Sequence, residues 1–139
     1  MTVTHLDHLN LTVRDFEETA SWYGRVFGFE VVERETDARG ALWGVLRAGD
    51  ALLCIYENPD LRFEEPEARR GRGVHGVNHF GLRIADREEW ERTMRREGIV
   101  PEYGGAVRWP HSTAWYVADP TGYEIEVALW DEGAPRFGQ

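Results

Sequence analysis

Hydrophobic and polar residues alternate along "LDHLNLTV", residues 6–13. Leu9, Leu11 and Val13 share one face of an extended segment, and His8, Asn10 and Thr12 share the other. The pattern predicts a strand over 6–13 with one packed face and an imidazole in its polar row. The period then changes. Asp15 stands where a helix N-cap belongs, acidic residues fill the following turn and Gly28 marks a stop, which predicts a short amphipathic helix. Three β-rich runs follow: "FEVVERET", "ALWGVLRAG" and "ALLCIYEN".

The same order occurs twice. Setting "DHLNLTVRDFEETASWYG" (7–24) above "NHFGLRIADREEWERTMR" (78–95) pairs His8 with His79, Val13 with Ile84 and Asp15 with Asp86, all at an offset of 71. A second helix should run from the Asp86 cap to Gly98. After it, β-rich runs are expected around 99–106, at "STAWYVAD" and at "YEIEVALW". The repeat predicts an α+β fold of two βαβββ modules in a single domain spanning 1–139: a first module over 3–57, a connector over 58–76 and a second module over 77–130. The connector, "NPDLRFEEPEARRGRGVHG", has two prolines and dense charge and reads as a solvated linker. A sharper reading lays it across a site, offering Arg69, Arg70 or Arg72 to an anionic ligand. The tail from Asp131 onward is expected to be loosely held.

Composition limits the partners. Hydrophobic residues make up 42% of 139, with six Trp and six Phe, enough to fill a core without covalent staples. A single cysteine excludes an internal disulfide framework. A net charge of −9 repels phosphate backbones and acidic lipid, so neither nucleic acid nor a membrane is an expected partner. With no long apolar run and no leader pattern, a cytoplasmic location is expected.

The histidines carry the first chemical signal. A lone imidazole in a strand is ordinarily a hydrogen-bonded interior residue, but one that recurs at the same place in both copies points to two groups aimed at a common centre. A third group comes from "DPTGYEIEVAL", where Glu124, Glu126 and Ala128 share one face and Tyr123, Ile125, Val127 and Leu129 the other. A carboxylate in such a strand needs a cation: Glu126 either pairs with an arginine such as Arg83 or ligates a metal ion. Two imidazoles and a carboxylate form a facial triad suited to Fe(II), Mn(II) or another divalent ion, with coordination positions left open.

"LDHLNLTV" with its following helix, "VNHFGLRI" and "DPTGYEIEV" together resemble the vicinal oxygen chelate superfamily, which includes glyoxalase I, fosfomycin and bleomycin resistance proteins and extradiol dioxygenases. The resemblance covers about residues 4–130. It implies that the paired modules curl into an open, curved mixed β-sheet barrel around one divalent ion per site, held by His8, His79 and Glu126, and that this ion binds two vicinal oxygens of a small-molecule substrate. Cys54 falls opposite Glu126 at an offset of 72, where glyoxalase I members carry a glutamate, so that activity loses its base. Extradiol dioxygenases match better. They resemble this chain in placing a tyrosine, here Tyr116, ten positions before the ligand glutamate, with "DPTG" between.

That tyrosine would hydrogen-bond a substrate oxygen. The family's further histidine falls at Val107 here, and His111 is the nearest candidate acid or base unless it is simply a loop residue. His75 and His5 are weaker candidates. The resemblance therefore implies a dioxygenase-like enzyme, with Fe(II) favoured and Mn, Ni or Zn for isomerisation, epimerisation or addition. The alternatives are a glyoxalase-like isomerase or lyase, a fosfomycin-type thiol transferase, and a metal-free drug-binding resistance protein. A homodimer is expected, with sites in which His8 of one chain meets His79 and Glu126 of the other, as in some members of the superfamily.

Overall fold

The alternating and capped segments become the elements of a computed structural model that describes residues 1–138. Two compact units divide after Phe63. In the first, β1 (Leu9–Val13), α1 (Phe16–Phe27), β2 (Glu30–Thr36), β3 (Leu42–Ala48) and β4 (Ala51–Glu57) follow one another as β-α-β-β-β. The sheet order is β1-β4-β3-β2, with β1 parallel to β4 and the other pairs antiparallel. Asp15 starts α1 by accepting from Glu18 N at 2.8 Å, and Glu57 Oε2 accepts from Phe16 N at the same end. Gly28, at φ 72, ends the helix. Leu11, Val13, Leu46, Leu53 and Ile55 are buried together with Phe16 and Tyr23 of α1.

The second unit repeats the arrangement after a short helix. Its elements are α2 (Pro66–Gly71), β5 (Phe80–Arg83), α3 (Arg87–Glu97), β6 (Val107–Trp109), β7 (Ser112–Ala118) and β8 (Glu124–Trp130). The sheet order, β5-β8-β7-β6, copies the first, again with one parallel pair, β5 with β8. Asp86 caps α3 by accepting from Glu89 N at 3.0 Å, and Gly98 closes it at φ 64. Trp115, Val117, Ile125 and Val127 form the buried row of β7 and β8, and Arg87 of α3 lies over the Trp115 ring. The α+β fold class and the twofold βαβββ architecture follow the repeat in the sequence.

Several boundaries differ from expectation. The first strand begins at Leu9 rather than residue 6, so His8 precedes the strand, just as His79 precedes β5. Residues 99–106 form no strand; they are a turn-rich loop in which Tyr103 takes a φ of 56, and the pairing edge starts only at Val107. The segment expected to be a solvated linker contains α2, started by Pro66 at a position where its missing N–H costs no helical bond. The three arginines expected to meet a ligand are engaged within the chain. Arg69 donates to the Gly122 carbonyl at 3.1 Å, Arg70 pairs with Glu124, and Arg72 lies 3.0 Å from Glu64. The tail also makes defined contacts: Arg108 donates to Asp131 at 2.7 Å, and the Phe137 ring stands edge-on to Trp130.

Candidate functional site

The β7–β8 hairpin explains why two residues ten apart in sequence meet. Asp119 organises the turn, its Oδ1 accepting from the backbone N–H groups of Thr121, Gly122 and Tyr123 at 2.9 Å. From that turn the antiparallel register pairs Ala118 with Glu124 and Tyr116 with Glu126. Cross-strand partners project to the same face, so the phenol and the carboxylate are neighbours. Tyr116 Oη donates to Glu126 Oε1 at 3.3 Å.

The parallel register on the other side of β8 supplies the imidazole. Phe80 pairs with Ile125 and Gly81 with Glu126, which brings His79 level with Glu124 on the same face. His79 Nε2 lies 3.0 Å from Glu126 Oε2, and its Nδ1 lies 3.6 Å from Glu124 Oε1. Its ring meets Tyr116 edge-on at 5.5 Å. His79, Tyr116 and Glu126 line a cavity of about 320 Å³ together with Trp109, Trp130 and Phe137. The expected alternative partner of Glu126 is engaged elsewhere: Arg83 donates to the Gly133 carbonyl at 3.2 Å.

Electrostatics set the state of these groups. Burial and then the Glu126 charge push the Tyr116 phenol above its ordinary range, so it remains a neutral donor through physiological pH. Glu102 is pushed up by burial and by the Glu124 charge, against the opposing pull of Arg70. Tyr103 moves in the same direction, chiefly through burial, and packs edge-on to Tyr116 at 5.2 Å.

The first unit has the same register without the same chemistry. Asn10 pairs with Cys54 as Gly81 pairs with Glu126, and Val45 faces Cys54 where Tyr116 faces Glu126. Cys54 is a free thiol, and burial, then Glu33 and Asp7, raise its pKa. His8 carries Asp7 against its Nδ1 at 2.7 Å. His111 sits in the turn between β6 and β7, outside the cavity lining; its Nε2 is buried with no hydrogen-bond partner among the described residues. His5 meets Thr4 at 2.9 Å, and His75 is exposed in the segment after α2.

Only part of the expected donor set is gathered for a divalent ion. Among the described residues no group of three or more His, Cys, Asp or Glu side chains is arranged as a ligand cage. The second unit does bring one imidazole nitrogen and one carboxylate oxygen together at the edge of a cavity, a nitrogen–oxygen set of the kind that suits first-row divalent ions. His79 and Glu126 therefore fit, with room for a further donor. The pairing of Glu124 with Arg70 is a feature of the site that the sequence pattern does not predict. The signal was present in two carboxylates on one row of β8 and in the arginines of the 58–76 segment.

Comparison with known proteins identifies the class. The profile of the Glyoxalase/Bleomycin resistance protein/Dioxygenase superfamily matches residues 5–127, and the chain belongs to that superfamily. It is 33% identical over 127 residues to the catechol-2,3-dioxygenase of Bacillus subtilis (strain 168), a match that covers 89% of this chain and 41% of that protein. The chain thus spans less than half the length of this relative. Among solved structures, a glyoxalase family protein from Enterococcus faecalis aligns with a TM-score of 0.76 at 18% identity, covering 92% of this chain and 99% of that one. The fosfomycin resistance protein FosX from Listeria monocytogenes, complexed with Mn(II) and sulfate ion, aligns with a TM-score of 0.68 at 17% identity over 92% and 93% of the two chains. At these identities the two structures show a shared fold. Among the described residues no helix is long and apolar enough to cross a membrane.

Proposed function

We propose that this chain is a metal-dependent, extradiol-dioxygenase-like enzyme acting on a small substrate with two vicinal oxygens, a catechol in the first instance. The observation that carries the reading is the convergence of His79, Glu126 and Tyr116 on one cavity. The kinship with a catechol-2,3-dioxygenase supports it. His79 and Glu126 would hold the ion, with His8 of the second chain of a homodimer as the third ligand. Fe(II) is favoured over Mn, Ni or Zn, because ring cleavage needs an ion that reacts with dioxygen. When bound, the ion would supply Lewis acidity toward the two substrate oxygens and, as Fe(II), reactivity toward dioxygen.

The residues of the chain do the rest. Tyr116, a neutral donor beside Glu126, would turn its hydroxyl from Glu126 to a substrate oxygen and orient the ring. Trp109, Trp130 and Phe137 supply apolar walls for an aromatic substrate. His111 is retained as a candidate acid or base only if it moves from its turn into the cavity. Cleaving the carbon–carbon bond beside the two hydroxyls consumes one dioxygen per ring and no added reductant. The enzyme is further proposed to be a cytoplasmic homodimer, and a monomer in sedimentation at micromolar concentration contradicts that.

The test is oxygen uptake by protein loaded anaerobically with Fe(II), against a panel of catechols. Uptake coupled to a yellow ring-cleavage product supports the reading. No uptake across the panel, with metal-dependent turnover of an oxoaldehyde hemithioacetal or an epoxide, moves the protein to the isomerase, lyase or thiol-transferase class. Drug binding unaffected by metal removal makes it a resistance protein.

A further inference from the structure

The cavity that holds His79, Tyr116 and Glu126 is also lined by a side chain with no part in the chemistry above, the guanidinium of Arg136. Other arginines of this unit are engaged: Arg69 with the Gly122 carbonyl, Arg70 with Glu124, Arg83 with the Gly133 carbonyl and Arg108 with Asp131. The Arg136 side chain makes no ion pair or hydrogen bond among the described residues, although Glu126 lines the same cavity.

Arg136 is exposed, yet it does not stand on a free end. Before it, Asp131 N donates to the His111 carbonyl at 3.0 Å, and Arg83 Nη1 donates to the Gly133 carbonyl at 3.2 Å. After it, the Phe137 ring stands edge-on to Trp130 at 4.9 Å. Attachments on both sides therefore hold Arg136 at the cavity wall.

The charges of the lining sort the groups of a bound ring. Glu126 repels an anionic substituent and His79 and Glu126 take the hydroxyls through the ion, which leaves Arg136 as the place for a carboxylate. A guanidinium presents paired N–H donors in a plane that matches a carboxylate. In a chain of net charge −9, binding an anion requires such a local cation. Trp109, Trp130 and Phe137 supply the apolar walls for the ring itself. A cavity of about 320 Å³ is at the small end of ligand pockets, a size for one ring with a short substituent.

We propose that Arg136 is a specificity-determining residue that binds the carboxylate of an aromatic substrate, so that this site takes a carboxylated catechol in preference to a neutral or cationic one. The inference rests on the reading of the cavity as a catechol site.

Calorimetric titration of Zn(II)-equilibrated protein, in which no ring cleavage occurs, tests it with three probes: protocatechuate (anionic), catechol (neutral) and dopamine (cationic). The wild type should bind protocatechuate about tenfold tighter than the other two, the lower end for a hydrogen bond to a charged group because the tail is exposed. Arg136→Gln should bring protocatechuate down to the level of catechol, Arg136→Lys should recover part of the preference, and Arg136→Glu should turn it toward dopamine. Equal binding of protocatechuate and catechol by the wild type overturns the proposal, as does a preference for protocatechuate that survives Arg136→Gln. Oxygen uptake by Fe(II)-loaded protein separates this inference from the reading beneath it. Uptake with equal kcat/KM for catechol and protocatechuate, in the wild type and in Arg136→Gln alike, keeps the catechol reading and removes the role of Arg136. A preference for protocatechuate that is lost in Arg136→Gln, without uptake on any probe, keeps the carboxylate site and removes the dioxygenase reading. Binding of none of the three overturns both.

Discussion

Tyr116 stands directly across the β7–β8 hairpin from Glu126, and its hydroxyl donates to Glu126 Oε1 at 3.3 Å. Because burial and the Glu126 charge keep the phenol protonated, Tyr116→Phe removes a donor without removing a charge. Loss of this donor to a substrate oxygen that carries negative charge in the transition state corresponds to a fall in kcat on the order of 10- to 100-fold. In oxygen-uptake kinetics kcat should fall more than KM rises; a variant with unchanged kcat contradicts the role given to Tyr116.

The turn that sets this register depends on Gly122. Its φ is 99, and a Cβ there would lie 2.6 Å from the Glu64 carbonyl oxygen, a backbone atom that cannot step aside. Gly122→Ala therefore combines backbone strain with a clash and should destabilise by about 1–3 kcal/mol. Thermal unfolding should show a melting point lower by several degrees. An unchanged melting point would mean that the turn is not fixed as described.

Much of this was legible in the sequence, for identifiable reasons. Asp15 and Gly28, like Asp86 and Gly98, signal helix ends through their own backbone chemistry, so both long helices could be bounded locally. The spacing from Tyr116 to Glu126 was visible because a hairpin converts sequence distance into register. Loop 99–106 departs from the expected strand because an apolar residue or two forms a strand only where a partner edge is in reach. The Arg70–Glu124 contact was hidden for a different reason: it joins residues 54 apart in sequence, and only the docking of α2 reveals which of three neighbouring arginines meets the carboxylate.

Cys54 holds the place in the first module that Glu126 holds in the second, and its environment raises its pKa through burial and the charges of Glu33 and Asp7. A raised thiol pKa means little thiolate at neutral pH, and the thiolate is the reactive form. Alkylation by iodoacetamide should therefore be slow at pH 7 in the native protein, with a rate that climbs at higher pH than for a free cysteine. Rapid alkylation at pH 7 would show a more exposed, activated thiol.

The metal content of the protein tests the central claim most directly. Protein purified without chelators or a histidine tag, then equilibrated with Fe(II) or Zn(II), should hold about one divalent ion per chain by elemental analysis. His8→Ala, His79→Ala and Glu126→Ala should each stay folded by circular dichroism and lose most of that metal. Full occupancy in a folded His79→Ala variant would contradict the account.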